Sequence, residues 1–135
     1  CTRQFEGASD VPSRSVNSVE APFIFKHGDY YYLFVSYDFC CRGLKSDYKV
    51  VVGRSTRVTG PYVDKDGREL TRGGGSLVVD SNDEFVAIGH SAAYHFDGKD
   101  YFMAHGYIRS EDGASKLFFR EMTWDEEGWP FVSAE

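Results

Sequence analysis

Apolar and polar positions along this chain alternate in short bursts rather than in long runs. The segments PFIFK (22–26), YYYLFVSY (30–37), KVVVGRS (49–55), SLVV (76–79), AAYHF (92–96), YFMAHGYI (101–108), KLFFREM (116–122) and PFVS (130–133) are rich in Tyr, Phe and Val, residues that suit a pleated, half-buried surface. Between them stand HGD, GPYVDKDG, GGG, DGKD, SEDGAS and DEEG, whose Gly, Asp and Pro supply turn dihedrals. No stretch sustains a 3.6-residue apolar period over three turns. The pattern predicts an all-β chain of antiparallel hairpins with minimal helix.

The bursts repeat. Sliding the chain by 70 residues lays Gly28 on Gly98, Tyr31 on Tyr101, Tyr32 on Phe102, Leu33 on Met103 and Tyr37 on Tyr107. At a slip of 69, Pro61 falls on Pro130, Tyr62 on Phe131 and Val63 on Val132. Each copy then holds about four strands, the size of a β-propeller blade, and a closed propeller needs about four to eight blades. Two blades are expected here, residues 18–72 and 73–135, with 1–17 as a connector from a preceding blade. A chain that begins with Cys1 rather than Met is expected to be a processed product or a fragment.

Composition narrows the partners. A net charge of -6 with both signs interspersed argues against a nucleic-acid groove or an anionic membrane surface. No apolar run approaches the ~18 residues of a membrane span, and CTRQFEGASDVPSRS lacks the plan of a signal peptide. Three cysteines, two of them adjacent at 40 and 41, define neither a disulfide framework nor a spaced zinc pair.

The same 70-residue slip places Glu20 on His90. Both precede the first strong strand of their copy, and the innermost strand of a blade points side chains into the central channel. A carboxylate and an imidazole would then face one axial site from adjacent blades. The plainer alternative is a solvated strand-start glutamate and a core histidine bonded to backbone, and spacing alone leaves both open.

The segments VEAPFIFKHGDYYYLFVSYDFCCRG, YKVVVGRSTRVTGPYVDKDG, GGGSLVV, AIGHSAAYH and TWDEEGWPFVS together resemble the C-terminal two blades of glycoside hydrolase family 43, most closely the endo-1,5-α-L-arabinanases, over about residues 4–133. The resemblance implies a five-bladed propeller that hydrolyses arabinan in plant cell-wall polysaccharide with inversion. It makes Glu20, the acid of the EAP element, the general acid, and His90 the channel histidine that holds a metal, usually calcium, largely through water. It places the general base and the acid that tunes the proton donor in earlier blades. The remaining blades are therefore an expected partner, and the isolated chain is expected to be inactive. A secreted, periplasmic or cell-surface location is expected, with the cytoplasm open.

The chemistry agrees with these roles. An inverting glycosidase pairs a proton donor with a carboxylate that activates water, and the donor must stay protonated through burial or a nearby like charge. Ala21, Pro22 and Phe23 are expected to supply apolar surroundings for Glu20. Cys41 and Arg42, with Asp38 and Cys40 at the end of the second strand, are candidate substrate contacts; the cysteines equally suit packing. His95 and His105 read as packing or surface residues, and His27, in the HGD turn, as exposed. GGGS is followed by neither Lys-Ser/Thr nor a helical pattern, so it is not a nucleotide loop, and DEEG reads as a solvated turn. Two alternatives remain: an exo-acting arabinofuranosidase or β-xylosidase of the same family, set apart by whether channel-mouth loops leave the groove open, and a non-catalytic sugar-binding or assembly module, whose binding would survive loss of Glu20.

Overall fold

The computed structural model describes residues 18–133; the expected connector, 1–17, lies outside them. Eight strands form two four-stranded antiparallel sheets. The first contains β1 (Val19–His27), β2 (Tyr30–Tyr37), β3 (Lys49–Ser55) and β4 (Ser76–Val79), and the second β5 (Phe85–Phe96), β6 (Lys99–Ile108), β7 (Ala114–Trp124) and β8 (Pro130–Val132). Among the described residues, helix is confined to three single 3-10 turns. No helix among the described residues is long and apolar enough to cross a membrane.

Each sheet runs in chain order, the arrangement of a propeller blade. The boundary expected at residue 73 shifts, because β4 pairs with β3 and the first sheet extends to Val79. Val63, which the sequence slip matched to Val132 of β8, forms only isolated bridges, to Arg54 and to Glu69. The fourth strand of the first sheet is supplied further along the chain.

Local chemistry explains the hairpins. β5 and β6 are joined by Asp97-Gly98, both with positive φ (52° and 77°), the Asp-Gly signature of a two-residue hairpin turn. In DEEG, the Asp125 carboxylate accepts the N–H groups of Glu127 and Trp129 at 2.9 Å each, so its charge organises a turn.

The core lies between the sheets. Tyr32, Phe34, Val50 and Val52 of the first meet Ile88, Phe102, Phe118 and Met122 of the second, all 2% exposed or less. The Phe34 and Phe102 rings are 6.0 Å apart. Each fully buried Phe contributes up to about 3 kcal/mol from burial alone. Polar contacts lock the outer edges: the Arg54 guanidinium sits 4.2 Å from both the Tyr30 and Trp129 ring centroids and donates to the Glu127 carbonyl at 2.7 Å. The imidazole of His27 stacks on Trp124 at 3.8 Å and is 3.5 Å from Asp100. His27 is therefore half-buried between sheets, a correction to its reading as an exposed turn residue. The link between β3 and β4 folds over the far face of the first sheet, where Leu70 packs with Val35, Tyr37 and Val51. On the far face of the second sheet, Tyr94, Leu117 and Phe119 are exposed.

Candidate active site

Glu20 sits on β1, the innermost strand of the first sheet, where the ladder to β2 pairs it with Ser36 and then slips before Phe23. Ala21 within that slip has φ 51°. A bulge of this kind re-aims side chains next to it. His90 occupies the corresponding strand of the second sheet, within the register shift between Gly89 and Ala92 of β5, with φ 56°. The backbones of the two residues meet at one side chain. Ser36, fully buried and opposite Glu20 in the ladder, accepts the N–H of His90 on its hydroxyl at 2.9 Å.

Glu20 Oε1 accepts a hydrogen bond from the Tyr48 hydroxyl at 2.6 Å. Tyr48 is completely buried; its hydroxyl is pushed far above the usual tyrosine range, first by burial and then by donating to Glu20. Glu20 itself is exposed. Of the three residues that follow it, Pro22 lies beside Glu20 in an apolar cleft. Two clefts flank it. One, of about 370 Å³, is polar-rimmed, with Asp38, Phe39, Cys40 and Arg42 around Glu20. The other, of about 210 Å³, places Glu20 beside Val19, Pro22 and Val35.

The vicinal cysteines form a disulfide with each other, a pairing the sequence reading did not draw. Cys40 Sγ lies 3.9 Å from Glu20 Oε1 but, once oxidised, has no proton to donate. The loop is fastened to the second sheet by the Cys41 N–H, which donates to the Tyr107 hydroxyl at 2.7 Å. Arg42 is exposed, its guanidinium 4.5 Å from the Phe39 ring centroid and its N–H on Ser46 Oγ at 2.9 Å. Arg42 and Cys40 line the polar cleft beside Glu20, whereas Cys41 is not among the residues that line it.

The His90 ring is exposed and 6.1 Å from that of His105. Burial, and then the neighbouring His90, lower the His105 pKa below its ordinary value, and its Nδ1 has no hydrogen-bond partner among the described residues. No group of three or more His, Cys, Asp or Glu side chains among the described residues is arranged to hold a metal. Calcium takes six to eight oxygen ligands, so His90 fits only an ion whose remaining ligands are mostly water or come from elsewhere. His95 is exposed on the surface, its Nδ1 2.6 Å from Asp100.

Tyr48, Ser36 and Tyr107 escaped the sequence reading. The one signal for Tyr48 is its place, two residues before the apolar run Val50–Val52.

The family model of Glycosyl hydrolases family 43 matches residues 2–130. An extracellular exo-α-(1→5)-L-arabinofuranosidase from Cellvibrio japonicus is 52% identical over 114 residues, covering 84% of this chain and 33% of that protein. An extracellular endo-α-(1→5)-L-arabinanase from Bacillus subtilis is 36% identical over 113 residues, covering 84% of this chain and 34% of that protein. Among solved structures, an exo-1,5-α-L-arabinanase from a bovine ruminal metagenomic library superposes with a TM-score of 0.88 at 51% identity, covering 93% of this chain and 41% of that one. A Cellvibrio cellulosa α-L-arabinanase in complex with arabinohexaose gives a TM-score of 0.84 at 50% identity, covering 87% and 37%. The chain thus spans between a third and about two-fifths of the length of these relatives.

Proposed function

Because the chain belongs to glycosyl hydrolase family 43, we propose that it contributes the proton donor of an enzyme hydrolysing α-1,5-linked arabinan. The observation that carries this reading is Glu20: a carboxylate on an innermost strand, exposed between two clefts yet held on one oxygen by a buried hydroxyl. In the proposed reaction, protonated Glu20 gives its proton to the glycosidic oxygen as the bond to the anomeric carbon breaks. A water activated by a second carboxylate attacks the opposite face; in an inverting pair the two carboxyl groups stand roughly 6.5–9.5 Å apart. That second carboxylate belongs to the remaining blades, for which the exposed Tyr94, Leu117 and Phe119 offer an apolar face. Arg42, Cys41 and the adjacent loop are proposed substrate contacts. His90 is proposed as the protein ligand of a largely water-held calcium ion, which would supply positive charge in the channel. The names of the arabinan-degrading relatives, both extracellular, favour action outside the cell.

The test is hydrolysis of linear α-1,5-arabino-oligosaccharides by this chain joined to the rest of its propeller, followed by NMR. Loss of turnover on Glu20→Ala and a first product with inverted anomeric configuration are expected; undiminished hydrolysis by Glu20→Ala would overturn the assignment. A second reading concerns mode. The two exo-acting relatives are 52% and 51% identical, against 36% for the endo-acting one, which favours release of short products from one chain end. A product profile that is a random mixture of lengths from the start would count against it.

A further inference from the structure

We propose that Tyr48 is a positioning residue for Glu20, fixing Oε1 so that Oε2 carries the transferable proton; this rests on the reading of Glu20 as proton donor. The polarity of these bonds follows from their partners. A backbone N–H can only donate, so Ser36 Oγ accepts from His90; a carboxylate oxygen can only accept, so the Tyr48 hydroxyl is the donor to Glu20. The Tyr48 proton is thereby directed at Glu20 Oε1, 2.6 Å away. No other donor competes among the described residues: the nearest sulfur, Cys40 Sγ, is tied up in the disulfide.

The ring that carries this hydroxyl is held in place. Gly89 passes so close beneath it that a Cβ there would lie 2.0 Å from Tyr48 Cδ2, and the His105 ring lies 6.3 Å away, centroid to centroid. A buried, immobile donor on an exposed carboxylate loses no freedom at the moment of reaction. As the proton leaves Oε2 for the glycosidic oxygen and the bonding pair follows to that oxygen, negative charge grows on the carboxylate. The Tyr48 hydrogen bond strengthens as it does, because a bond to a charged acceptor is about twice as strong as a neutral one. It therefore acts more on the transition state than on the bound substrate.

Tyr48→Phe keeps the ring and removes the hydroxyl. In the assembled protein it is assayed on a linear α-1,5-arabino-oligosaccharide and on an aryl α-L-arabinofuranoside whose acidic phenol departs without protonation. With a charged partner at stake, kcat on the oligosaccharide is expected to fall roughly ten- to hundredfold, with KM and aryl hydrolysis nearly unchanged. Equal losses on both substrates, or none on either, overturn the proposal, since a structural lesion has no reason to spare the activated leaving group. Glu20→Gln is run in parallel: if it hydrolyses the oligosaccharide like the unaltered protein, the proton-donor reading itself fails. If it shows the selective loss and Tyr48→Phe does not, Tyr48 alone is dismissed.

Discussion

Ser36 holds His90 in place: its buried hydroxyl accepts the His90 N–H across the interface between the two sheets at 2.9 Å. His90 has φ 56°, a region in which side chains other than Gly are strained, and this bond offsets part of that cost. Ser36→Ala leaves the part-buried His90 N–H without its partner, which costs about 1 kcal/mol. Urea denaturation should show that loss with an unchanged m-value, and the His90 ring signals should shift in NMR. Unaltered stability and His90 resonances together would show that the bond does not anchor the bulge.

Gly89 makes room for Tyr48. A Cβ 2.0 Å from Cδ2 and 2.4 Å from Cε2 of a completely buried ring cannot be accommodated by a rotamer change. Gly89→Ala is expected to destabilise the protein by about 1–3 kcal/mol, the range for overpacking a tight core. Adding Tyr48→Leu should return part of that loss, a coupling that a double-mutant cycle resolves. Strict additivity of the two changes would place the clash elsewhere.

Much of the architecture was legible because burial on one face writes itself as alternation. Each of the eight apolar bursts lies on one of the eight strands. The start of β5 was missed because Gly89, His90 and Ser91 interrupt the alternation, and the structure puts register shifts around them. β4 was assigned to the second unit because the triple glycine before it resembles a boundary. Glu20 and His90 could be paired from the 70-residue slip alone. Tyr48 and Ser36 could not, since their partners lie 28 and 54 residues away and no local pattern marks a hydroxyl aimed across a fold. The disulfide was hidden for another reason: adjacent cysteines give no spacing to interpret.

Alkaline pH tests the burial of these hydroxyls. Tyr48 and Tyr32 both titrate above the ordinary value of 10.0, each first because burial disfavours the phenolate. Above pH 10 the unfolded chain releases these protons while the folded chain retains them. The folded state then binds more protons, so stability, complete below pH 10, must fall as pH rises toward the folded-state values. Urea titrations at stepwise higher pH, with tyrosinate absorbance as the monitor, should show this slope, and it should be shallower in Tyr48→Phe. A slope identical in the variant would mean that Tyr48 ionises in the folded protein as freely as in the unfolded one.

Reduction of Cys40–Cys41 should separate loop order from global stability. The bond closes a ring between neighbours in sequence, so it restrains little of the unfolded chain; the chain-entropy relation gives about 1 kcal/mol for so short a loop. Its local effect is larger. Cys41 has φ 68°, and its N–H reaches Tyr107 on the second sheet, a geometry that the ring helps to hold. Mild reductant is therefore expected to leave the thermal midpoint within a few degrees while amide exchange at Cys41 and Arg42 accelerates. The freed Cys40 thiol, 3.9 Å from Glu20 Oε1 in the oxidised protein, would also become a weak second donor to that oxygen. Exchange rates at Cys41 and Arg42 that do not change on reduction would show that Tyr107 and the Ser46 contact hold the loop without the disulfide.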